Sequence, residues 1–166
     1  MRKFARRAPL DEADCQALLA LPFTSHTVEA GRYLVREGDL THESILLISG
    51  FAIRHKLTAD GDRQILSIHI PGDFLDLEGA LLKVADHSVQ ALTRSEIATI
   101  SGEHIVKLVD SHPRVGRAMW VDTLVDGSIY REWVMMPHPE RAIEAAHGSS
   151  DGRLLFESAV RAFADA

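Results

Sequence analysis

A mainly β fold with flanking helices follows from three features of the sequence. Gly31, Gly38, Gly50, Gly61 and Gly72 recur at intervals of 7, 12, 11 and 11 residues, runs rich in Val, Ile and Leu lie between them, and the apolar spacing turns helical after Ser101. Evenly spaced turns between short strands indicate a sandwich, jelly roll or barrel.

The elements can be read in order. Asp11 is an N-cap candidate for a short helix that runs through good helix formers to Leu21 and stops at Pro22. Residues 43–49 hold four consecutive apolar side chains, Ile45 to Ile48, as expected of a strand covered on both faces. In residues 51–57 (Phe51, Ile53 and Leu57, with His55 between) and 66–70 (Leu66, Ile68, Ile70) apolar residues alternate, which predicts strands with one buried face. Between these two, Asp60-Gly61 offers the positive φ angles of a primed hairpin turn. Two further strands fall at residues 88–92 and 96–100. Ile105, Leu108 and Val109 then share one helical face, with Ser101 available as the cap. Pro113 suits the first position of a second helix, and the 24 residues from there to Met136 would span about 36 Å.

Composition limits the function. Among 166 residues 46% are hydrophobic and 25% charged, enough for one globular domain with a sizeable core. A net charge of −6 argues against a surface built to hold nucleic acid. Cys15 is the single cysteine, so disulfides within the chain and all-cysteine iron–sulfur clusters are excluded, and a reducing, cytoplasmic setting is expected. No apolar run is long enough to cross a bilayer. The basic start, Arg2, Lys3, Arg6 and Arg7, reads as a solvated tail.

Along the long helix Val115, Ala118, Met119, Val125, Ile129 and Met136 lie near one stripe, interrupted by Asp122 and Glu132, with Trp120, Leu124 and Trp133 outside it. Apolar groups spread this widely predict contact both with the chain's own β domain and with a second copy of the helix, hence a homodimer with the six stripe residues at its interface.

The order of these parts, with residues 31–38 (Gly-Arg-Tyr-Leu-Val-Arg-Glu-Gly), Leu47-Ile-Ser-Gly50 and Ile70-Pro-Gly-Asp-Phe74, resembles the Crp/Fnr family of bacterial transcription regulators over residues 10–136. The resemblance implies a cyclic-nucleotide-binding-like double-stranded β-roll that holds a small effector and a long helix that pairs two protomers. It divides the chain into a sensor domain at 1–112, a dimerisation helix at 113–136 and a tail at 137–166. It also implies an effector site at Gly72, Asp73, Phe74, Glu78, His87 and Ser88. The family's cyclic-nucleotide binders carry an arginine where this chain has His87, and Glu78 stands one position away from their ribose-binding glutamate. A guanidinium grips phosphate through two parallel donors, whereas a neutral imidazole offers one. The sequence therefore predicts against cyclic AMP or cyclic GMP as the effector and leaves the effector unidentified.

A winged helix-turn-helix needs on the order of 70 residues, whereas 30 follow Met136. Those 30 hold three arginines against five acidic side chains, a poor footprint for DNA, and read as two short helices in place of the reader. DNA binding would need a reader supplied elsewhere, and a chain of this kind could sequester full-length relatives. A cupin-type metal enzyme is the rival on a similar roll, but such enzymes usually bring a His-x-His pair, and here His55, His69 and His87 are isolated. With no Gly-x-Ser-x-Gly elbow and no phosphate-binding Gly-x4-Gly-Lys loop, the sequence predicts no enzyme and no metal site.

Overall fold

The computed structural model describes residues 2–57 and 61–135. The elements are, in chain order, α1 (Arg2–Arg7), α2 (Glu12–Leu19), β1 (Thr24–Val28), β2 (Tyr33–Val35), β3 (Glu43–Ser49), β4 (Ala52–Leu57), β5 (Arg63–His69), α3 (Gly79–Leu82), β6 (Ser88–Ala91), β7 (Ser95–Ser101), α4 (Gly102–Ser111) and α5 (Pro113–Met135). The strands form two antiparallel sheets, ordered β1-β7-β3 and β2-β6-β4-β5. This is the predicted β-roll with a long C-terminal helix. The described residues divide into a unit ending at Gly127, which contains the roll and α1–α4, and a second unit that begins at Ser128 within α5.

All five evenly spaced glycines have positive φ, between 81° and 95°. Gly50 shows the requirement most sharply. At φ 88° an added Cβ would stand 2.8 Å from Thr93 Oγ1 and 2.9 Å from the Arg94 carbonyl oxygen, nearer still to Ser95 Oγ, so neither the backbone angle nor the space admits a side chain. Residues 58–60 of the predicted hairpin lie outside the described residues, but β4 and β5 pair antiparallel from Ala52↔His69 to Leu57↔Arg63.

Two cores result. Val35, Ile45, Leu47, Ala52, Leu75, Ala85, Val89 and Ile97 pack between the two sheets. Phe4, Ala8, Phe74, Ile100, Ile105, Leu108, Val115, Ala118 and Met119 pack between the roll and α1, α4 and α5. Each segment contributes to one of these because its apolar residues recur at the spacing of its own element.

Four expectations need correction. The basic start is not a solvated tail: Phe4 of α1 and Ala8 just after it are buried, and Lys3 pairs at 3.0 Å with both Asp73 and Asp122, while Arg7 donates to Asp122 at 2.9 Å. Lys3 and Arg7 thus pair with carboxylates rather than with solvent. The proposed partner stripe on α5 is divided: Val115, Ala118 and Met119 are buried in the chain's own core, Val125 is half-buried, and Met136 lies outside the described residues. Trp120, Leu124 and Ile129 are exposed, at 67%, 56% and 40%.

The third correction concerns β4, which is inside its sheet and buried from Ala52 to His55 on both faces, whereas β3 leaves Ile48 exposed. The fourth is the face of β5. Ser67 and His69 are buried while Ile68 and Ile70 are 49% and 54% exposed, the reverse of the hydrophobic pattern. The pairing passes from Arg54↔Ser67 to His55↔Ile65, so Leu66 is an extra residue. His69, opposite Ala52 of the inner core, shares its face, because paired residues point the same way. Burial is tolerable because the polar groups satisfy one another: Ser67 Oγ lies 2.9 Å from His69 Nε2, and His69 Nδ1 lies 3.6 Å from Asp73.

This cluster makes the fold acid-sensitive. Burial opposes ionisation of Asp73, but the contacts from His69, the Ile70 N–H and Lys3 outweigh it and hold the carboxyl at about 2. Burial in turn pushes the His69 imidazole below its usual range. Both folded-state values lie below their unfolded counterparts, so below each unfolded value the unfolded chain binds the proton the folded chain refuses. Stability is expected to decline first as pH falls below about 6.5 and again between about 4 and 2. Urea midpoints measured from pH 7 to pH 2 check this, and Asp73→Asn should make the second decline smaller.

Candidate effector site

The site is assembled on β4, the segment leading into α3, and the start of β6. Leu75 fixes that segment: it is fully buried, and its N–H donates to the Ile45 carbonyl at 2.7 Å. Asp76 follows, 1% exposed, with Oδ1 accepting from the Gly79 N–H at 3.2 Å. Glu78 ends the segment and is only partly covered. From the middle of β4 the buried Arg54 reaches both: Nη1 donates to Glu78 Oε1 at 2.5 Å and Nη2 to the Leu75 carbonyl at 2.7 Å. A guanidinium suits this place because its planar fork can serve two acceptors at once.

His87, immediately before β6, is also 1% exposed. Its Nδ1 lies 2.7 Å from Asp86 Oδ1 and 3.9 Å from Glu78 Oε1. The hydrogen bond from His87 holds the Asp86 carboxyl below its usual range. One ligating atom from each of Asp76, Glu78 and His87 lies within 4.8 Å of the others. Burial, then the neighbouring Glu78 charge, raises the Asp76 carboxyl, against the pull of His87 and Arg54. His55 on β4 is buried, with Tyr33 at 5.7 Å edge-on and the Arg36 guanidinium 4.0 Å above the Tyr33 ring. Burial, followed by the charge on Arg63, keeps the His55 imidazole below its usual range.

Beside this group is a cavity of about 580 Å³, bounded by β1, β2, β3 and β7, with Tyr33, Val35, Ile45 and Ile97 on its walls and Asp76 reaching it. A space of that size is in the range of small-molecule sites.

Of the six residues read from sequence, the structure brings Glu78 and His87 together. Ser88 is next in the chain, but its Oγ accepts the Glu37 N–H at 3.0 Å. Gly72, Asp73 and Phe74 have other employment: Gly72 turns the chain and donates to the Leu47 carbonyl, Asp73 holds Lys3 and His69, and Phe74 packs on Phe4 at 5.6 Å between ring centres. Arg54, His55 and Asp76 were not anticipated. The signal for the first two was adjacent basic residues in the middle of an otherwise apolar strand; Asp76 had none beyond its place between two leucines.

Comparison with known proteins agrees with this architecture. Residues 25–112 match the family described as the cyclic nucleotide-binding domain. The catabolite activator protein of Thermus thermophilus superimposes with a TM-score of 0.62 at 18% identity, over 76% of this chain and 61% of that one. FixK2 of Bradyrhizobium japonicum gives 0.64 at 20% identity, over 69% and 57%. The sensor domain of the transcriptional regulator DNR from Pseudomonas aeruginosa gives 0.60 at 18%, over 81% and 88%. The chain thus spans about three fifths of the first two proteins and most of the third. A separate, short match is 75% identical over 32 residues to phosphoribosylformylglycinamidine synthase subunit PurQ of Novosphingobium aromaticivorans, covering 19% of this chain and 14% of that subunit. With the family match spanning more than half of its length and the β-roll in place, the chain belongs to the cyclic nucleotide-binding domain family.

Proposed function

We propose that the chain is a non-enzymatic sensor of the Crp/Fnr type, which binds a small effector in the roll beside Asp76, Glu78 and His87 and works as a homodimer paired through α5 in control of transcription. The observation that carries this reading is the polar group of Asp76, Glu78 and His87 with Arg54, of which Asp76 reaches a cavity of effector size. Polar groups fixed beside a pocket select a ligand by what they leave unpaired when it is absent. His87 in place of an arginine, already engaged with Asp86, makes the site a poor clasp for a cyclic phosphate.

Pairing through α5 is supported by the exposed Trp120 and Leu124, four residues apart and therefore on one helical face. Large aromatic and aliphatic groups exposed together are the usual anchors of an interface. DNA contact would come from a module outside the described residues, and no described helix is long and apolar enough to cross a membrane.

Sedimentation equilibrium tests the pairing. The wild-type chain is expected to be dimeric at micromolar concentration, and a Trp120→Asp, Leu124→Asp double variant monomeric with unchanged circular dichroism. A wild-type monomer, or a double variant still dimeric, would overturn pairing through this helix. Thermal shift against small metabolites tests the effector, since a ligand that favours the folded form raises its melting temperature. Cyclic AMP and cyclic GMP are expected to leave it unchanged.

A further inference from the structure

The polar group beside the cavity has an electrostatic imbalance that its hydrogen bonds do not resolve. Asp76 and Glu78 bring two carboxylates together, and the guanidinium that answers them, Arg54, is shared with the Leu75 carbonyl. Asp76 Oδ2 has no hydrogen-bond partner among the described residues although the side chain is 99% buried, and the same is true of His87 Nε2. An unpaired buried polar atom is costly, the more so when charged. Two in one group of residues need a common explanation.

We propose that Asp76, Glu78 and a ring nitrogen of His87 bind a divalent first-row transition ion. The inference deepens the sensor reading and rests on it in taking this group as the effector site. Three ligating atoms within 4.8 Å of one another are one small closure away from a common ion, because bonds of about 2.0–2.2 Å to one metal bring its ligands within roughly 4 Å. Glu78 can supply that closure, since it is the least buried of the three and precedes a helix of only four residues.

The ligand set selects the ion. One imidazole with two carboxylates suits the series from Mn²⁺ to Zn²⁺, whereas Mg²⁺ and Ca²⁺ prefer oxygen alone. The neighbours serve as positioning residues. Asp86 holds the His87 ring through Nδ1, and Arg54 steadies Glu78 through Oε1. Gly79 is required beside them, because an added Cβ would lie 2.5 Å from Asp76 Oδ2.

The test uses the full chain stripped with chelator, titrated separately with Zn²⁺, Mn²⁺ and Co²⁺ and followed by calorimetry and elemental analysis. About one ion per chain is expected, with affinity lowered at least about tenfold in Glu78→Gln and His87→Gln and unchanged in His104→Gln, an exposed histidine on α4. Because a buried His87 variant could misfold, imidazole nitrogen spectra of the wild-type chain give a second readout, in which Zn²⁺ should move the His87 signals. No binding tighter than about 100 µM, or binding that leaves His87 unmoved and Glu78→Gln unaffected, would overturn the site. A chain that takes no metal yet dimerises and is stabilised by an organic ligand overturns the ion and keeps the sensor. A chain that takes the ion at His87 but neither dimerises nor responds to any metabolite keeps the ion and overturns the sensor.

Discussion

Arg54→Ala is expected to lower the stability of the fold by about 3–5 kcal/mol. The guanidinium is almost wholly buried and is the cation that faces Glu78 and the Leu75 carbonyl. Its removal leaves Glu78 without the cation that binds it, Asp76 without one of the charges that favour its ionised form, and the Leu75 carbonyl without a donor. The loss is larger than the net worth of the ion pair because it includes the desolvation of what remains. Arg54→Lys should recover only part, since an ammonium cannot hold the carboxylate and the carbonyl in one rigid fork. Urea unfolding at pH 7 measures both, and an alanine variant within about 1 kcal/mol of wild type would show that Glu78 finds another cation.

Gly50→Ala should cost about 2–4 kcal/mol. The left-handed backbone accounts for roughly 1–2 kcal/mol of that. The remainder comes from the Arg94 carbonyl and the side chains of Thr93 and Ser95, which would have to withdraw from the new methyl group. Gly31→Ala is the comparison: it has the same kind of φ, 81°, but open space around the site, so it should cost the backbone share alone. Equal losses in thermal unfolding would show that packing at Gly50 is unimportant.

These two positions differ in how readable they were. The glycines announced the fold, because a turn that needs positive φ leaves a fixed mark in the sequence and five such marks at strand-length intervals admit few architectures. The Asp11 cap was equally legible: its side chain accepts the Asp14 N–H, and the reciprocal bond completes a capping box. Local rules decide both features.

The site residues obey no local rule. Arg54 is buried because β4 has a neighbour on each side and Glu78 arrives from 24 residues away, information that the alternation of one strand does not contain. The reversed face of β5 has the same origin. A single extra residue in the pairing changes the phase of the strand relative to its neighbour, and nothing in the spacing of Leu66, Ile68 and Ile70 reports it. On α5 the sequence showed that apolar surface exceeded one narrow seam, but not which part the chain keeps for itself. Val115, Ala118 and Met119 were assigned to a partner and are covered instead by α1 and α4.

Lys3 gives the amino end of the chain a mechanical significance. Its ammonium group joins Asp73, in a turn of the roll, to Asp122 on α5, while Phe4 beside it fills the gap between the same two bodies. Roll and helix are thus fastened by one short helix, so loosening α1 removes rivet and filler together.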